Sequence, residues 1–171
     1  MDLPDPVPLD GMNMPFPHVF IGDEAFPLTR YMMRPYPRRA LTDEKRIFNY
    51  RLSRARRTIE NTFGILTARW RILQKPLCMS PANLESVFQA LVVLHNFLMM
   101  GEEMRNPTDR MYAPRDFVDV EHEDGSVTEG RWREEVSPYF MELGRVGGNR
   151  GNQTAIGLRE YLNVYFNSVW L

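Results

Sequence analysis

Apolar residues recur at helical spacing after Thr42. Successive apolar positions lie four or three residues apart, which is the period of an amphipathic helix. They are Phe48, Leu52, Ala55, Ile59, Phe63 and Leu66. Thr42 can cap this helix, and Asp43 and Glu44 occupy its first turn, where the helix dipole favours acidic side chains. The pattern predicts a long helix that ends at about Ala68.

Two further helices are predicted downstream. Ser80 can cap a helix in which Pro81 is the first residue, a position where the missing N–H of proline costs nothing. The residues that follow are apolar almost all round, so we expect this helix to be buried and to end at Gly101. An amphipathic pattern over residues 154–171 predicts the other helix.

The remaining segments have no helical period. Residues 1–16 are rich in proline and are predicted as coil, and residues 27–41 are predicted as a loop that is basic and aromatic. The short apolar run at residues 19–21 predicts a buried strand with Asp23 at its carboxyl end. Residues 101–153 are acidic and glycine-rich, and we expect them to be mobile. The sequence therefore predicts one strand followed by helices.

Charge is segregated along the chain, although the net charge of the 171 residues is −1. Residues 1–29 carry five acidic and no basic residues, and residues 76–171 carry 14 acidic against eight basic residues. Residues 30–75, which we call the basic block, carry 13 basic residues against three acidic ones. Such asymmetry is typical of a protein that binds a polyanion. A solvated helix face is the alternative, but the block has few acidic partners at helical spacing.

Composition excludes several classes of protein. The single cysteine, Cys78, cannot form a disulfide scaffold within the chain, and the sequence has no Cys/His cluster of the kind that holds zinc or an iron–sulfur group. The acidic, proline-punctuated beginning is unlike a signal peptide. The longest apolar stretch, residues 87–100, includes Gln89, His95 and Asn96. It therefore favours a helix of the protein core over a membrane-spanning helix.

Two carboxylates stand out by their position. Asp23 follows the predicted strand, and Glu60 is isolated within the basic block. A metal-ligating role is one interpretation of these positions. By spacing alone, Asp23 could equally be a turn residue, and Glu60 could form an ion pair with Arg56 or Arg57 on the same helix.

Three stretches of the chain resemble the Harbinger (PIF/Harbinger) transposase-derived nucleases of the DDE superfamily. They are IGDEAFPL, FNYRLSRARRTIENTFGILTARWRIL and LVVLHNFL, and they lie within residues 17–100. The most specific part is a pattern on the predicted long helix, formed by Asn49, Ser53, Arg56, Glu60, Phe63, Gly64, Leu66, Arg69 and Trp70. The resemblance implies an α/β fold of the ribonuclease H-like (retroviral-integrase-like) class, of which residues 17–100 would be the C-terminal part. We expect the fold to be incomplete here, with the chain mainly helical after one strand.

The resemblance also implies a metal-dependent active site. In such nucleases three carboxylates hold two divalent metal ions, Mg²⁺ or Mn²⁺, that promote phosphodiester cleavage. Asp23 matches the second carboxylate and Glu60 the third. The first belongs to strands further upstream, and Asp5 and Asp10 lie in a proline-rich stretch without a strand pattern. We therefore expect a truncated endonuclease domain that lacks the first catalytic aspartate.

DNA is the partner that the resemblance implies. The arginines predicted to contact its phosphates are Arg51, Arg54, Arg56 and Arg57 on the helix, with Arg38 and Arg39 in the loop before it. The same likeness implies a nuclear location and a Myb-like DNA-binding partner, and we expect a homo-oligomer with no membrane association. The second hypothesis is a catalytically inactive, domesticated transposase fragment that acts as a DNA- or protein-binding module.

Overall fold

The computed structural model describes residues 3–39, 41–122, 124–135 and 151–168. Contacts within the chain divide it into two compact units. The first unit comprises Met1–Arg56 and Glu142–Leu171, and the second comprises Arg57–Met141. The predicted endonuclease segment, residues 17–100, therefore contributes residues to both units.

All three long helices predicted from the apolar pattern are present. Helix α1 is Asp43–Arg69, α2 is Pro81–Glu103, and α4 is Gln153–Ser168; a single turn, α3, covers Trp132–Glu135. The predicted caps form as well, because Ser80 Oγ accepts a hydrogen bond from the N–H of Asn83 (3.3 Å) and Thr42 Oγ1 from that of Lys45 (3.4 Å). Short 3₁₀ turns cover Arg71–Gln74, Pro107–Asp109 and Arg115–Phe117.

In the described parts of the chain, strands form three ladders of two residues per strand. In the first unit, β1 (Val7–Pro8) pairs antiparallel with β2 (Pro15–Phe16), and β3 (Phe20–Ile21) pairs parallel with β4 (Met32–Met33). In the second unit, β5 (Val120–Glu121) pairs antiparallel with β6 (Val127–Thr128). Two of the ladders lie in segments predicted as coil or as mobile. A strand of two residues is too short to leave an alternating pattern of apolar and polar residues in the sequence. The sequence of neither segment therefore predicts its strands.

The prediction of a buried strand at residues 19–21 is wrong. Phe20 and Ile21 are 45% and 38% exposed, and the strand is paired on one edge to β4. An apolar run indicates burial only where a second layer covers the strand, and the described residues place no such layer over these two side chains. Met33, on the partner strand, is the residue of this ladder that enters the core of the first unit.

The core of the first unit is built around one aromatic ring on α1. Phe48 is fully buried, and its ring contacts the rings of Tyr36 and Phe166 at centroid distances of 5.0 and 5.5 Å. Leu52 extends the same face of α1, and Leu162 joins it from α4. Phe48 and Leu52 of the predicted stripe therefore form a core face, whereas Ile59 and Phe63 of the same stripe are exposed.

An asparagine on α1 fixes the proline-rich loop in the first unit. The Asn49 side chain accepts a hydrogen bond from the N–H of Tyr36 (2.8 Å) and donates one to its carbonyl oxygen (3.0 Å). Tyr36 lies between Pro35 and Pro37, which have no N–H to offer. One amide therefore satisfies both backbone groups of the one residue in this PYP triplet that has both.

A second asparagine on α1 does the same in the second unit. The Asn61 side chain donates to the carbonyl oxygen of Asp119 (3.2 Å) and accepts from its N–H (3.0 Å). The same Asn61 oxygen also accepts from the indole N–H of Trp132 (3.1 Å). The Trp132 ring lies over Gly64, so close that a Cβ added there would be 2.3 Å from a ring carbon. Segment 117–132, predicted to lack regular structure, therefore packs on α1 in its described part.

Helix α2 is not the buried helix that its composition predicts. Of its residues, Leu91, His95 and Glu102 are buried. The His95 ring contacts the Tyr112 hydroxyl through Nδ1 (3.0 Å), and a carboxylate oxygen of Glu102 accepts from the N–H of Tyr112 (3.0 Å). Burial lowers the pKa of His95. Among the described residues, α2 is also the one helix that could cross a membrane by length and composition alone, criteria that the core helix of a soluble protein meets equally.

Replacing Gly64 by alanine is expected to destabilise the second unit. Alanine favours a helix over glycine by about 1 kcal/mol, but the new methyl group would overlap the Trp132 ring, and overpacking of this kind costs about 1–3 kcal/mol. Gly101→Ala in α2 is the matched control, since nothing lies within 4 Å of its added Cβ. Urea unfolding followed by circular dichroism measures both. A Gly64→Ala protein as stable as Gly101→Ala would contradict the packing described here.

The buried carboxylate of Asp119 is expected to make stability depend on pH. Burial opposes its ionisation, but hydrogen bonds from Arg133 (2.5 and 3.1 Å) and from the N–H of Gly130 (2.8 Å) outweigh burial and lower the pKa of Asp119. A lowered pKa in the folded state gives stability that is present above the unfolded value of about 3.9 and is lost as the pH falls through the folded value.

Asp119→Asn should therefore reduce the free energy of unfolding at neutral pH and flatten its decline in acid. Denaturant titrations from pH 7 down to about pH 3 measure both effects. Asp116→Asn is the control, because that carboxylate is 62% exposed in its pair with Arg131 and such pairs contribute less than about 1 kcal/mol. An equal loss of stability in the two variants would show that Asp119 has no special role.

Candidate active site

Asp23 lies two residues after β3 in the first unit, near the carboxyl end that the sequence predicts. Gly22 precedes it, is buried, and donates its N–H to the carbonyl oxygen of Met33 (2.8 Å). A Cβ at Gly22 would lie 3.0 Å from the Met32 sulfur, so a residue without a side chain suits this position. The Asp23 carboxylate is half-buried and accepts a hydrogen bond from the N–H of Ala25 (2.8 Å). This contact is an Asx turn, which is the turn role that spacing alone allowed.

Basic side chains surround the turn that Asp23 begins. The Arg34 guanidinium donates to the carbonyl oxygens of Glu24 (3.4 Å) and Phe26 (3.1 Å), and so ties the turn to the chain after β4. Arg38 lies 3.7 Å from the Glu24 carboxylate, in an exposed pair. The acidic turn is therefore next to the beginning of the basic block in space as well as in sequence.

Glu60 lies on α1 in the second unit and is half-buried. Its neighbours on the helix make the contacts that organise this unit, namely the Asn61 amide on Asp119 and the Arg57 guanidinium on Glu121 (2.7 Å). Glu60 is also among the acidic groups that raise the pKa of Arg133, after the larger effect of the hydrogen bond to Asp119. The carboxylate therefore belongs to a network of buried and half-buried charges.

The six predicted DNA-contacting arginines have different environments. Arg38, Arg39 and Arg54 are exposed residues. Arg51 and Arg56 are half-buried, and the Arg51 guanidinium lies 5.6 Å from the centre of the Phe166 ring. The Arg57 side chain is 16% exposed in its pair with Glu121, and this contact directs it into the second unit. Exposure is what lets an arginine side chain reach a phosphate, and Arg38, Arg39 and Arg54 have it.

The two predicted carboxylates fit a hard divalent cation in donor chemistry, because Mg²⁺ and Mn²⁺ bind carboxylate oxygens. Their number is incomplete. Each unit contributes one of them, and the described residues bring together no group of three or more metal-ligating side chains. Two open cavities, of about 640 and 550 Å³, are lined by residues other than Asp23 and Glu60. No metal-dependent step is therefore derived from this arrangement.

Sequence reasoning missed the residues that organise the site's surroundings. Asn49 and Gly64 belong to the pattern on α1, yet their contacts are with a backbone and with an indole ring. Asn61 lies outside that pattern, and its partner Asp119 is 58 residues away. A usable indication was present, since asparagine and glycine are poor helix formers and their presence inside a long helix indicates a tertiary contact.

Comparison with known proteins identifies the family. A family model described as DDE superfamily endonuclease matches residues 8–96, just over half of the chain. No curated protein and no solved structure matches the sequence. The matched range includes β3, Asp23 and Glu60, and it ends within α2. The chain therefore belongs to the DDE superfamily endonuclease family.

Proposed function

We propose that the chain is a transposase-derived DNA endonuclease domain of the Harbinger group, with a ribonuclease H-like fold. The family match over residues 8–96 carries this proposal. Within that range Asp23 lies two residues after a strand and Glu60 lies on the first long helix that follows, which is the order in which the resemblance assigns the second and third carboxylates. Residues before Asp23 include a short ladder, β1–β2, and the resemblance assigns no carboxylate there as the first ligand.

Asp23 and Glu60 are the residues that would hold divalent metal ions. Bound Mg²⁺ or Mn²⁺ supplies charge stabilisation of the phosphoryl oxygens during phosphodiester cleavage. The Asx turn holds Asp23 close to the end of β3. Glu60 is held by the helix whose neighbouring residues contact Asp119 and Glu121. Both carboxylates therefore lie on elements whose position is set by several hydrogen bonds, as ligands require.

DNA binding is proposed to depend on the exposed arginines of the basic block. Arg38, Arg39 and Arg54 have the exposure that phosphate contact requires, and such contacts are independent of sequence and weaken with salt. A Myb-like protein would then supply recognition of a particular site. A nuclear location and a homo-oligomeric state complete the proposal, and both derive from the resemblance to Harbinger nucleases.

A catalytically inactive DNA- or protein-binding module is the second candidate function. One observation favours it, because the Asp23 carboxylate is engaged by the Ala25 N–H and the described residues contain no three-carboxylate group. In this case the basic block would keep its affinity for DNA while the two carboxylates would have structural roles. Cleavage and binding assays separate the two functions.

For the nuclease, we expect nicking of supercoiled plasmid that depends on Mn²⁺. Asp23→Asn and Glu60→Gln should each reduce its rate by at least about 100-fold. Loss of a residue that merely orients a metal ligand costs up to about 100-fold in activity, and loss of the ligand itself should cost at least as much. Asp43→Asn is the matched control, since this carboxylate at the start of α1 is 91% exposed and is paired with Arg46. Circular dichroism verifies that each variant is folded. Nicking that persists in both variants would rule out the assigned ligands, and DNA binding without nicking would establish the inactive module.

For DNA binding, we expect Arg38→Ala and Arg39→Ala each to reduce the slope of log affinity against log salt by about 0.9, the value for one phosphate contact on duplex DNA. Arg115→Ala, an exposed arginine outside the basic block, should leave the slope unchanged. Fluorescence anisotropy with a labelled duplex over a range of salt concentrations measures it. Equal effects of all three substitutions would indicate that net charge, not the basic block, governs the affinity.

A further inference from the structure

Helix α2 presents an apolar stripe on the face opposite to its buried residues. The buried face contains Leu91, His95 and Glu102. The exposed stripe consists of Ala90, Val93, Phe97, Met100 and, at the helix end, Met104. Its members lie three, four, three and four residues apart, which is the heptad spacing of a helix that packs along a narrow seam on another helix.

Exposure along this stripe is high. Val93, Phe97 and Met100 are 66%, 71% and 68% exposed, and Met104 is 90% exposed. Large apolar side chains in an unbroken row of this kind mark an interaction surface more often than a solvated one. A membrane is a poor occupant, because α2 also carries Glu85, Gln89 and Asn96 and its other face is packed within the second unit.

The order of residues in the stripe is symmetric in position and complementary in size. Residues along the stripe form pairs at equal distances on the two sides of His95. The distance is two residues for Val93 and Phe97, five for Ala90 and Met100, and nine for Ser86 and Met104. In two antiparallel copies of α2 that cross at His95, each smaller residue would lie opposite the larger one of its pair. A two-fold axis requires this self-complementarity, and antiparallel seams bring together such unlike heptad positions.

Residues beside the seam are compatible with the same arrangement. On either side of the seam, and offset by about 3 Å along the helices, Asn96 lies nearest to Asn96 of the second copy, Leu94 to Leu94, and Gln89 to Glu103. Two asparagines can exchange hydrogen bonds, and Leu94, which is 44% exposed, widens the apolar surface. No pair of like charges is placed opposite across the seam, whereas a like-charge pair would disfavour association.

We propose that the exposed stripe of α2 binds a second copy of the chain as an antiparallel helix pair. The stripe residues, from Ala90 to Met104, all belong to the second unit, and none is an assigned ligand or DNA-contacting residue. The inference rests on the homo-oligomeric state of the proposed function and names the surface that forms it. DNA cleavage does not depend on the stripe, so a monomeric protein would overturn this inference and leave the nuclease assignment intact.

Two neighbouring valines provide a matched test of the seam. Val93 lies on the stripe and Val92 beside it, turned by about 100° around the helix, and Val92 is also exposed, at 42%. Val93→Glu should weaken self-association by at least about tenfold, because it places a charge in an apolar seam, whereas Val92→Glu should change it less than about twofold. Sedimentation-velocity measurements over a range of concentrations determine both constants.

Cysteine pairs test the register and direction. In a Cys78→Ser background, a mixture of Ala90→Cys and Met100→Cys proteins should form a disulfide-linked dimer in mild oxidant. Ala90→Cys alone should not, because two copies of residue 90 would lie about 15 Å apart along the helices, beyond the reach of a disulfide. The linked species is read on a non-reducing gel.

Several results would overturn the proposal. They are a monomer at all concentrations, equal weakening by Val92→Glu and Val93→Glu, or cross-linking of Ala90→Cys alone with none in the mixture, which would indicate a parallel pair. Flotation of the monomeric protein with phosphatidylcholine vesicles would show that the stripe contacts lipid instead. Because the cysteine variants replace exposed residues, they keep the test valid if a glutamate variant fails to fold.

Discussion

Two asparagine side chains on α1 satisfy the backbone of the irregular segments that pack against that helix. Asn49 contacts both backbone groups of Tyr36, and Asn61 contacts both backbone groups of Asp119. A segment without its own ladder or helix has to satisfy buried N–H and C=O groups by other means, and an unsatisfied group costs about 1–3 kcal/mol. The loops of each unit can pack against a helix because these amides supply the missing partners.

This constraint also determines which charges of the basic block are available for function. Arg57 pairs with Glu121, so part of the positive charge of the block is neutralised within the second unit. Arg38 is 91% exposed and lies in the loop whose Tyr36 backbone Asn49 holds. The loop therefore keeps exposed cations on a segment that hydrogen bonds position, which favours contact with a regularly spaced anion such as the DNA backbone.

Local patterns predict the helices well, because the signals that define them lie within a few residues. The caps at Thr42 and Ser80 appear where expected, and Phe48 and Leu52 of the predicted stripe are core residues, whereas Ile59 and Phe63 are exposed. Burial is predicted less well, because apolar composition does not reveal which face has a partner. Residues 19–21 and α2 are both strongly apolar, and both expose much of that surface. The pattern on α1 indicates the DDE superfamily, which the family match over residues 8–96 confirms, whereas the contact between Asn61 and Asp119 joins residues 58 apart and has no local signal.

Substitutions of the two assigned carboxylates differ in how much they would disturb the folded structure. The difference decides how clearly a loss of cleavage can be attributed to a lost metal ligand. The Asp23 carboxylate accepts a hydrogen bond from the N–H of Ala25, two residues away, and an asparagine side chain can accept the same hydrogen bond. Glu60 lies between Arg57 and Asn61, whose long-range contacts organise the second unit, and it acts on the pKa of Arg133. A change at Glu60 therefore alters the charge balance of a folded network, whereas a change at Asp23 alters a turn that its isostere can preserve. Loss of cleavage in Asp23→Asn is consequently the cleaner evidence for a metal ligand.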